Sequence, residues 1–406
     1  MTDGKEMMAR FGRAHGALRT AAVTGTNGKT TTTTMIQAIV AAAGEPSARV
    51  TTLGAWVAGE TVEAATPNET FLAAVERAVE RGVKTLALEV TSKALAGGLA
   101  RRWRPHVAVF TNLTRDHLDL HGTVEHYLAA KAQLFLNLPR GGVAVLNADD
   151  PASTLVREVV PPGATVRTFS RRGADATLSA IAVTTSPRGT ELTLAPSRLG
   201  DALGGRLSLA VTGGVHAANA LGAALAADAL GYGADAIRDG LRGFTGTAGR
   251  FQIIATAPLV VVDYAHTPDG LDGTLTTARE LIAAAGRGRV ICVFGCGGGR
   301  DRGKRPEMGA IADRLADVVV LTNDNPRHED PAAIAAEIRA GVPAPAATWH
   351  QELDRAAAIE LALAAAGADD LVVIAGKGHE EDQEIRGVKV PFSDVAVARA
   401  VLARRG

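Results

Sequence analysis

Aromatic residues are scarce in this 406-residue chain: three tryptophans, three tyrosines and nine phenylalanines make 4%. Its cores must therefore be filled mainly by Ala, Val, Leu and Ile. Cysteine is nearly missing, and Cys292 and Cys296 cannot build a disulfide framework or point to an oxidising compartment. Net charge is missing too, with 43 basic against 43 acidic residues. That argues against a nucleic-acid binder relying on bulk positive charge and against an acidic tail. No apolar run reaches the length of a membrane span. The start, Met1-Thr2-Asp3-Gly4-Lys5-Glu6, has charges and no apolar segment, so no signal peptide is read. What is present is ordinary for a soluble globular protein: 47% hydrophobic and 21% charged residues. The expectation is a cytoplasmic chain of two or three domains, at roughly 150 residues each.

Val- and Ile-rich segments alternate with helical stretches, which marks parallel α/β architecture. Strands are expected at Thr20–Thr24, Lys84–Val90, His106–Thr111 and Val143–Asn147, with helices at Lys29–Ala43, Glu69–Arg81 and Thr123–Leu136. Between Ala174 and Val211 the pattern turns to alternation around the turn Ser186-Pro187-Arg188-Gly189, an antiparallel patch, and a helix follows at His216–Ala229. Three glycines in Gly243–Gly249 form a hinge. Strand–helix alternation then restarts, with strands at Leu259–Asp263, Val290–Phe294, Val318–Thr322 and Leu371–Ala375. The fold class is thus α/β: a P-loop-type parallel sheet domain with a small antiparallel β patch, 1–247, then a Rossmann-like α/β domain, 248–406.

Thr24-Gly25-Thr26-Asn27-Gly28-Lys29-Thr30 lies between an expected strand and an expected helix. There, backbone N–H groups and a helix N-terminus can hold phosphate oxygens. Lys29 would reach the β/γ-phosphates of ATP and Thr30 would ligate Mg²⁺. The loop is shortened, since Val23 occupies the place of the usual first glycine. A second glycine loop, Gly295-Cys296-Gly297-Gly298-Gly299-Arg300, has Arg300 where a dinucleotide fingerprint needs glycine, so a nicotinamide site is rejected. Cys296 in that loop is expected to be accessible, and Cys292 buried.

The phosphate loop and the segments after it resemble the Mur ligase family, the ATP-dependent amide-forming enzymes of peptidoglycan assembly. In order come Glu89-Val90-Thr91-Ser92, Thr111-Asn112-Leu113-Thr114-Arg115-Asp116-His117-Leu118-Asp119, Tyr127-Leu128-Ala129-Ala130-Lys131 and Asn147-Ala148-Asp149-Asp150. Gly249-Arg250-Phe251 and Asp263-Tyr264-Ala265-His266-Thr267-Pro268-Asp269-Gly270 complete the series. The similarity is greatest to the subgroup that adds the third amino acid to a UDP-muramoyl dipeptide. It implies a carboxylate activated as acyl phosphate and attacked by an amine, with cations preplaced where charge gathers. Catalytic roles then fall to Lys29, Glu89, His117 and Lys131. The resemblance puts Thr30 and Glu89 on one Mg²⁺ and Glu89 with His117 on another, with a carbamylated Lys131 helping; a plain surface lysine is the competing reading. It assigns ATP to Gly25, Thr26, Asn27, Gly28, Lys29, Thr30, Thr31, Asn112, Asn219, Arg250, Asp263 and His266. Asn219 reads equally as a helix N-cap, and His266 also as a structural histidine. A zinc site at Asp116-His117-x-Asp119-x-His121 is rejected on ligand type and spacing.

Thr322-Asn323-Asp324-Asn325-Pro326-Arg327 follows a strand and matches the Asp-Asn-Pro-Arg signature for meso-diaminopimelate; a simple turn is the alternative. Arg300, Asp324, Asn325, Arg327, Gly376 and Glu380 are the expected amino-acid residues, the arginines gripping a second carboxylate. Thr66 and Ser92 are expected at the acceptor. Departures cluster there: Gly97 and Leu99 replace a glutamine and an arginine, and Lys93 a histidine. Ala217 and Gln252 also depart from the family pattern. The family's N-terminal uridine-binding domain is expected to be absent, since the phosphate loop begins at Gly25. The reading is a ligase coupling a diamino acid to a non-standard carboxylate acceptor, with no nucleic-acid or membrane partner. Alternatives are a UDP-muramoyl-dipeptide ligase served by a separate acceptor-binding protein, a catalytically silent nucleotide binder, and a polyglutamate-type ligase.

Overall fold

A computed structural model describes residues 12–405; the charged start read above lies outside them. The chain forms two compact units. One holds the chain up to Thr114 with Thr123–Thr184 and Arg188–Thr245; the other holds Arg115–Gly122, Thr185–Pro187 and the chain from Gly246 on.

The first unit is organised on an 11-stranded sheet. Its strands are β1 (Arg19–Thr24), β2 (Ser47–Thr51), β3 (Gly54–Val57), β4 (Glu60–Val62), β5 (Thr85–Glu89) and β6 (Val107–Phe110). They continue with β7 (Val143–Asn147), β8 (Thr165–Ser170), β9 (Leu178–Ser186), β10 (Gly189–Leu194) and β11 (Arg206–Leu209). In the order β11-β10-β9-β8-β7-β6-β1-β5-β2-β3-β4, the run from β2 to β9 is parallel. The antiparallel patch is β9–β11, with β10 and β11 antiparallel, and β2–β4 make a second antiparallel edge that the sequence pattern had not signalled. Strands β5 and β7 are buried along their whole length, as expected of parallel strands covered on both faces. Alternate side chains go to opposite faces: Ala21 and Val23 pack with Met35, Ile36 and Ile39, whereas Ala22 packs with Leu86, Leu88 and Phe110. Because β5, β1 and β6 are neighbours, their carboxyl ends bring Glu89, the phosphate loop and Thr111 side by side.

The second unit carries β12 (Gln252–Thr256), β13 (Leu259–Asp263), β14 (Val290–Phe294), β15 (Val318–Leu321), β16 (Thr348–Gln351) and β17 (Leu371–Ala375). Their order is β12-β13-β17-β14-β15-β16, parallel except for β12 at one edge. A hairpin, β18 (Asp382–Ile385) with β19 (Val388–Pro391), stands apart from that sheet. The carboxyl ends of β13, β14, β15 and β17 deliver Asp263, Gly295, Thr322 and Gly376, where open α/β sheets bind ligands.

Candidate active site

The phosphate loop is shaped by glycines that no other residue could replace. Gly25 has φ 151° and Gly28 φ 83°. A Cβ at Gly25 would lie 1.9 Å from Thr111 Oγ1, and one at Gly28 would lie 2.3 Å from Asn219 Oδ1. Asn112 holds the loop: its carbonyl accepts from Thr26 N–H (2.9 Å) and its Oδ1 from Asn27 N–H (2.8 Å). Thr111 Oγ1 donates to Asn27 O at 2.6 Å. Lys29 Nζ donates to Thr26 O at 2.7 Å, folded back on its own loop. Helix Lys29–Ala42 opens on Gly28, which has no side chain to cap the first turn. Thr31 is buried on that turn.

Thr30 Oγ1 donates to Glu89 Oε2 at 2.8 Å, and Thr52 N–H and Oγ1 donate to the same carboxylate. Glu89 is buried and its described partners are neutral donors. A carboxylate and a hydroxyl of this kind fit a hard divalent cation, which is commonly held by one or two protein oxygens plus phosphate. Among the described residues no group of three or more His, Cys, Asp or Glu is assembled as a metal cluster.

Lys131 is no surface lysine: it is 1% exposed, donates to Gly25 O at 2.6 Å and sits 4.1 Å from the Tyr127 ring. One helical turn separates Tyr127 from Lys131, which puts both on the inner face. Asn219 is not an N-cap; that place belongs to Gly213, and Asn219 Oδ1 accepts from Thr32 Oγ1 at 3.3 Å. Thr66 is an exposed N-cap whose side chain accepts from Glu69 N–H. Ser92 is buried in the short helix Ser92–Ala96. His117 groups with the second unit, half exposed with φ 52° and paired to Asp116 at 3.3 Å.

The second unit holds a cleft lined by Tyr264, His266, Arg300, Lys304, Asp324, Asn325, Arg327, Gly376 and Glu380, with Asp116, His117 and Asp119 from its segment 115–122. Asp263 lies buried beneath, accepting from Phe251 and Ala265 N–H and from Thr274 Oγ1; burial raises its pKa, against the pull of Arg250. Arg250 stacks over Tyr264, 4.3 Å from the ring. His266 Nδ1 meets Tyr264 O at 2.8 Å; burial and then the Lys304 charge depress its pKa to about 4. Gln252 accepts from Gly249 N–H at 2.9 Å.

Asp324 Oδ2 is buried without a hydrogen-bond partner, while Oδ1 accepts from Asn325 N–H. Gly376 (φ 117°) leaves it room, since a Cβ there would lie 2.6 Å from Oδ2. The Asn325 amide is committed on both sides: Nδ2 donates to Glu380 at 2.8 Å, and Oδ1 accepts from Lys377 Nζ and Glu384 N–H. Lys377 is fully buried and also pairs with Glu380 at 2.7 Å. Arg300 pairs with Asp119 at 3.0 Å.

Two supports carried no sequence signal. Buried Arg305 joins Glu329, Glu337 and the Gly297 carbonyl, tying two cleft loops together and pulling the Glu329 pKa down to about 2. Buried Arg355 joins Asp394, Asn323 O and Ala375 O behind the ends of β15 and β17. The expectation for Cys296 fails: it is 3% exposed, its Sγ meets Met308 Sδ at 3.6 Å, and burial raises its pKa to about 12. The glycine loop presses on its neighbours too closely to expose the thiol; a Cβ at Gly295 would lie 2.1 Å from Thr322 O.

Residues 23–227 match the Mur ligase middle domain and residues 249–378 the Mur ligase glutamate ligase domain. The chain belongs to the Mur ligase family. It is an ATP-dependent carboxylate–amine ligase, with Mg²⁺ as the usual metal of such enzymes. It is 42% identical to the UDP-N-acetylmuramoyl-L-alanyl-D-glutamate–2,6-diaminopimelate ligase of Synechococcus elongatus, over 100% of this chain and 80% of that one. The ligase of that name from Xanthomonas campestris is also 42% identical, over 96% and 78%. A solved structure of a ligase of that name has TM-score 0.65 at 35% identity, covering 96% of this chain and 79% of its own. The Mycobacterium tuberculosis folylpolyglutamate synthase, solved with ADP and AMPPCP, shares the fold at TM-score 0.72 and 22% identity, covering 92% and 91%. Among the described residues no helix is long and apolar enough to cross a membrane.

Proposed function

We propose that this ligase uses a diamino dicarboxylic acid of the meso-diaminopimelate type as its amino donor. The observation that carries the reading is Asp324, a buried carboxylate oxygen with no partner, in one cleft with Arg327, Arg300 and Glu380. Such a cleft offers acids to an ammonium and guanidinium groups to a carboxylate, the two ends a diamino dicarboxylate presents. Gly376 keeps that space open. The names of the relatives point to the same donor.

In the first unit, the loop Gly25–Thr31 wraps the nucleotide phosphates and Lys29 swings from Thr26 O to neutralise them. Thr30 and Glu89 would hold the Mg²⁺, which would supply charge screening of the phosphates against the approaching carboxylate. Asn219, packed beside Gly28, borders the nucleotide. Lys131, held under Gly25, is the residue we assign to carbamylation: its Nζ, once deprotonated, would add CO₂ with loss of a second proton and become a carboxylate near the loop. The acceptor carboxylate attacks the γ-phosphate, ADP leaves, the amine attacks the acyl phosphate, and phosphate departs.

For the acceptor, we favour a carboxylate other than the standard UDP-muramoyl dipeptide. Gly97 closes one short helix and Leu99 opens the next, so neither offers a side-chain donor to an acceptor anion. The experiment is phosphate release from ATP across a matrix of amino donors and carboxylate acceptors, UDP-muramoyl dipeptide included. Turnover with a diamino dicarboxylate and another acceptor is expected. Full turnover with UDP-muramoyl dipeptide overturns the acceptor reading, and no turnover with any diamino dicarboxylate overturns the donor reading.

A further inference from the structure

Arg327 is held in a way that the Asp-Asn-Pro-Arg motif does not explain. It is a non-glycine residue with φ 53°, a conformation that side chains disfavour and that surrounding structure must impose. The hairpin β18–β19 imposes it. Arg327 N–H donates to Glu384 O at 3.0 Å, and Arg327 O accepts from Arg386 N–H at 2.6 Å. The same hairpin then takes the side chain. Arg327 Nε donates to Glu384 Oε2 at 3.2 Å, and Nη1 donates to Gly298 O at 2.7 Å. Glu384 is itself fixed, its N–H donating to Asn325 Oδ1 at 2.9 Å.

A guanidinium has five N–H donors in a rigid fork, and a carboxylate grips it through one edge at a time. With Nε committed to Glu384 and one Nη1 hydrogen to Gly298, the end-on edge of Nη1 and Nη2 is left for another anion. Among the described residues Nη2 makes no hydrogen bond to protein, and Arg327 lines the cleft. We propose that Glu384 is a positioning residue for donor specificity: it locks Arg327 so that only the end-on edge meets the distal carboxylate of the amino acid. This rests on the proposed donor. Arg327 grips the ligand, and Glu384 decides with which edge.

The test uses the full chain and steady-state kinetics with meso-diaminopimelate and with lysine, which lacks the second carboxylate. Glu384→Ala should raise the KM for meso-diaminopimelate about 10-fold, the low end for a lost charge-assisted contact. The kcat and the KM for ATP should stay within about twofold, and lysine use should not change. Glu384→Gln, whose amide oxygen still accepts from Nε, should return the KM to within about threefold of the parent. A Glu384→Ala enzyme with unchanged donor KM overturns the proposal. So does one whose kcat, ATP KM and donor KM all worsen together, since that marks general damage. If the parent itself ignores diamino dicarboxylates, the donor reading fails instead.

Discussion

Replacing Arg355 by Met should destabilise the second unit far more than replacing Arg355 and Asp394 together by Met and Leu. Both side chains are 0% exposed and meet edge to edge, Nε to Oδ1 at 2.7 Å and Nη2 to Oδ2 at 2.8 Å. The same guanidinium donates to Asn323 O and Ala375 O, each at 2.9 Å. Removing one partner of a buried pair costs about 3–5 kcal/mol, because the remaining charge stays buried. For a unit of this size each kcal/mol shifts Tm by about 2–4 °C, so a fall of about 6–20 °C is expected. The two carbonyls lose their donor in both variants, at about 1–3 kcal/mol each, so what separates the variants is the Asp394 charge, which only the single variant leaves buried and unpaired. Calorimetry gives the melting, and hydrogen exchange of the β15 and β17 amides assigns it to this unit. A single variant melting within 2 °C of the parent, by the same scale, or a double variant melting no higher than the single, refutes the reasoning.

Gly25→Ala should raise the KM for ATP about 100-fold or abolish turnover, because its Cβ would meet Thr111 Oγ1 at 1.9 Å; near-normal ATP kinetics would contradict the loop geometry. His216 is fully buried, neither ring nitrogen has a partner, and burial depresses its pKa to about 4. The unfolded chain therefore binds the proton first, and stability falls by about 1.4 kcal/mol per pH unit as pH drops from 6.5 towards 4. In urea unfolding, His216→Leu should gain on the parent at pH 5 relative to pH 7.5; parallel profiles would rule out that titration. Glu329, held near pKa 2 by Arg305, works lower on the scale. Its stabilisation is full above the ordinary carboxylate pKa and is lost as pH falls towards 2, so Arg305→Met should flatten acid unfolding there.

The parallel sheets and the phosphate loop were legible because their signals are local: buried β-branched runs, and glycines where the chain must bend tightly. Glu89 and Thr30 were legible through the family motifs, and sheet order explains why they meet. Lys131 illustrates the limit, since a helix pattern alone leaves a lysine on the surface and only tertiary packing buries it under Gly25. The hairpin β18–β19 escaped for a related reason. Strand β18 reads Asp-Gln-Glu-Ile and β19 is exposed along its whole length, so no core pattern marks the hairpin. Its purpose depends on Arg327, distant in sequence. Arg305 and Arg355 likewise look like surface helix charges until the loops they pin are in place.

The central claim is that the cleft of the second unit selects an amino donor by its second carboxylate. The direct measurement is the ratio of kcat/KM for meso-diaminopimelate to that for lysine, in the parent and in Arg327→Ala. The account predicts a strong preference for meso-diaminopimelate that falls about 10- to 150-fold in the variant, the loss of a charge-assisted contact of about 1.5–3 kcal/mol. A preference for lysine, or a ratio unmoved by Arg327→Ala, would contradict it.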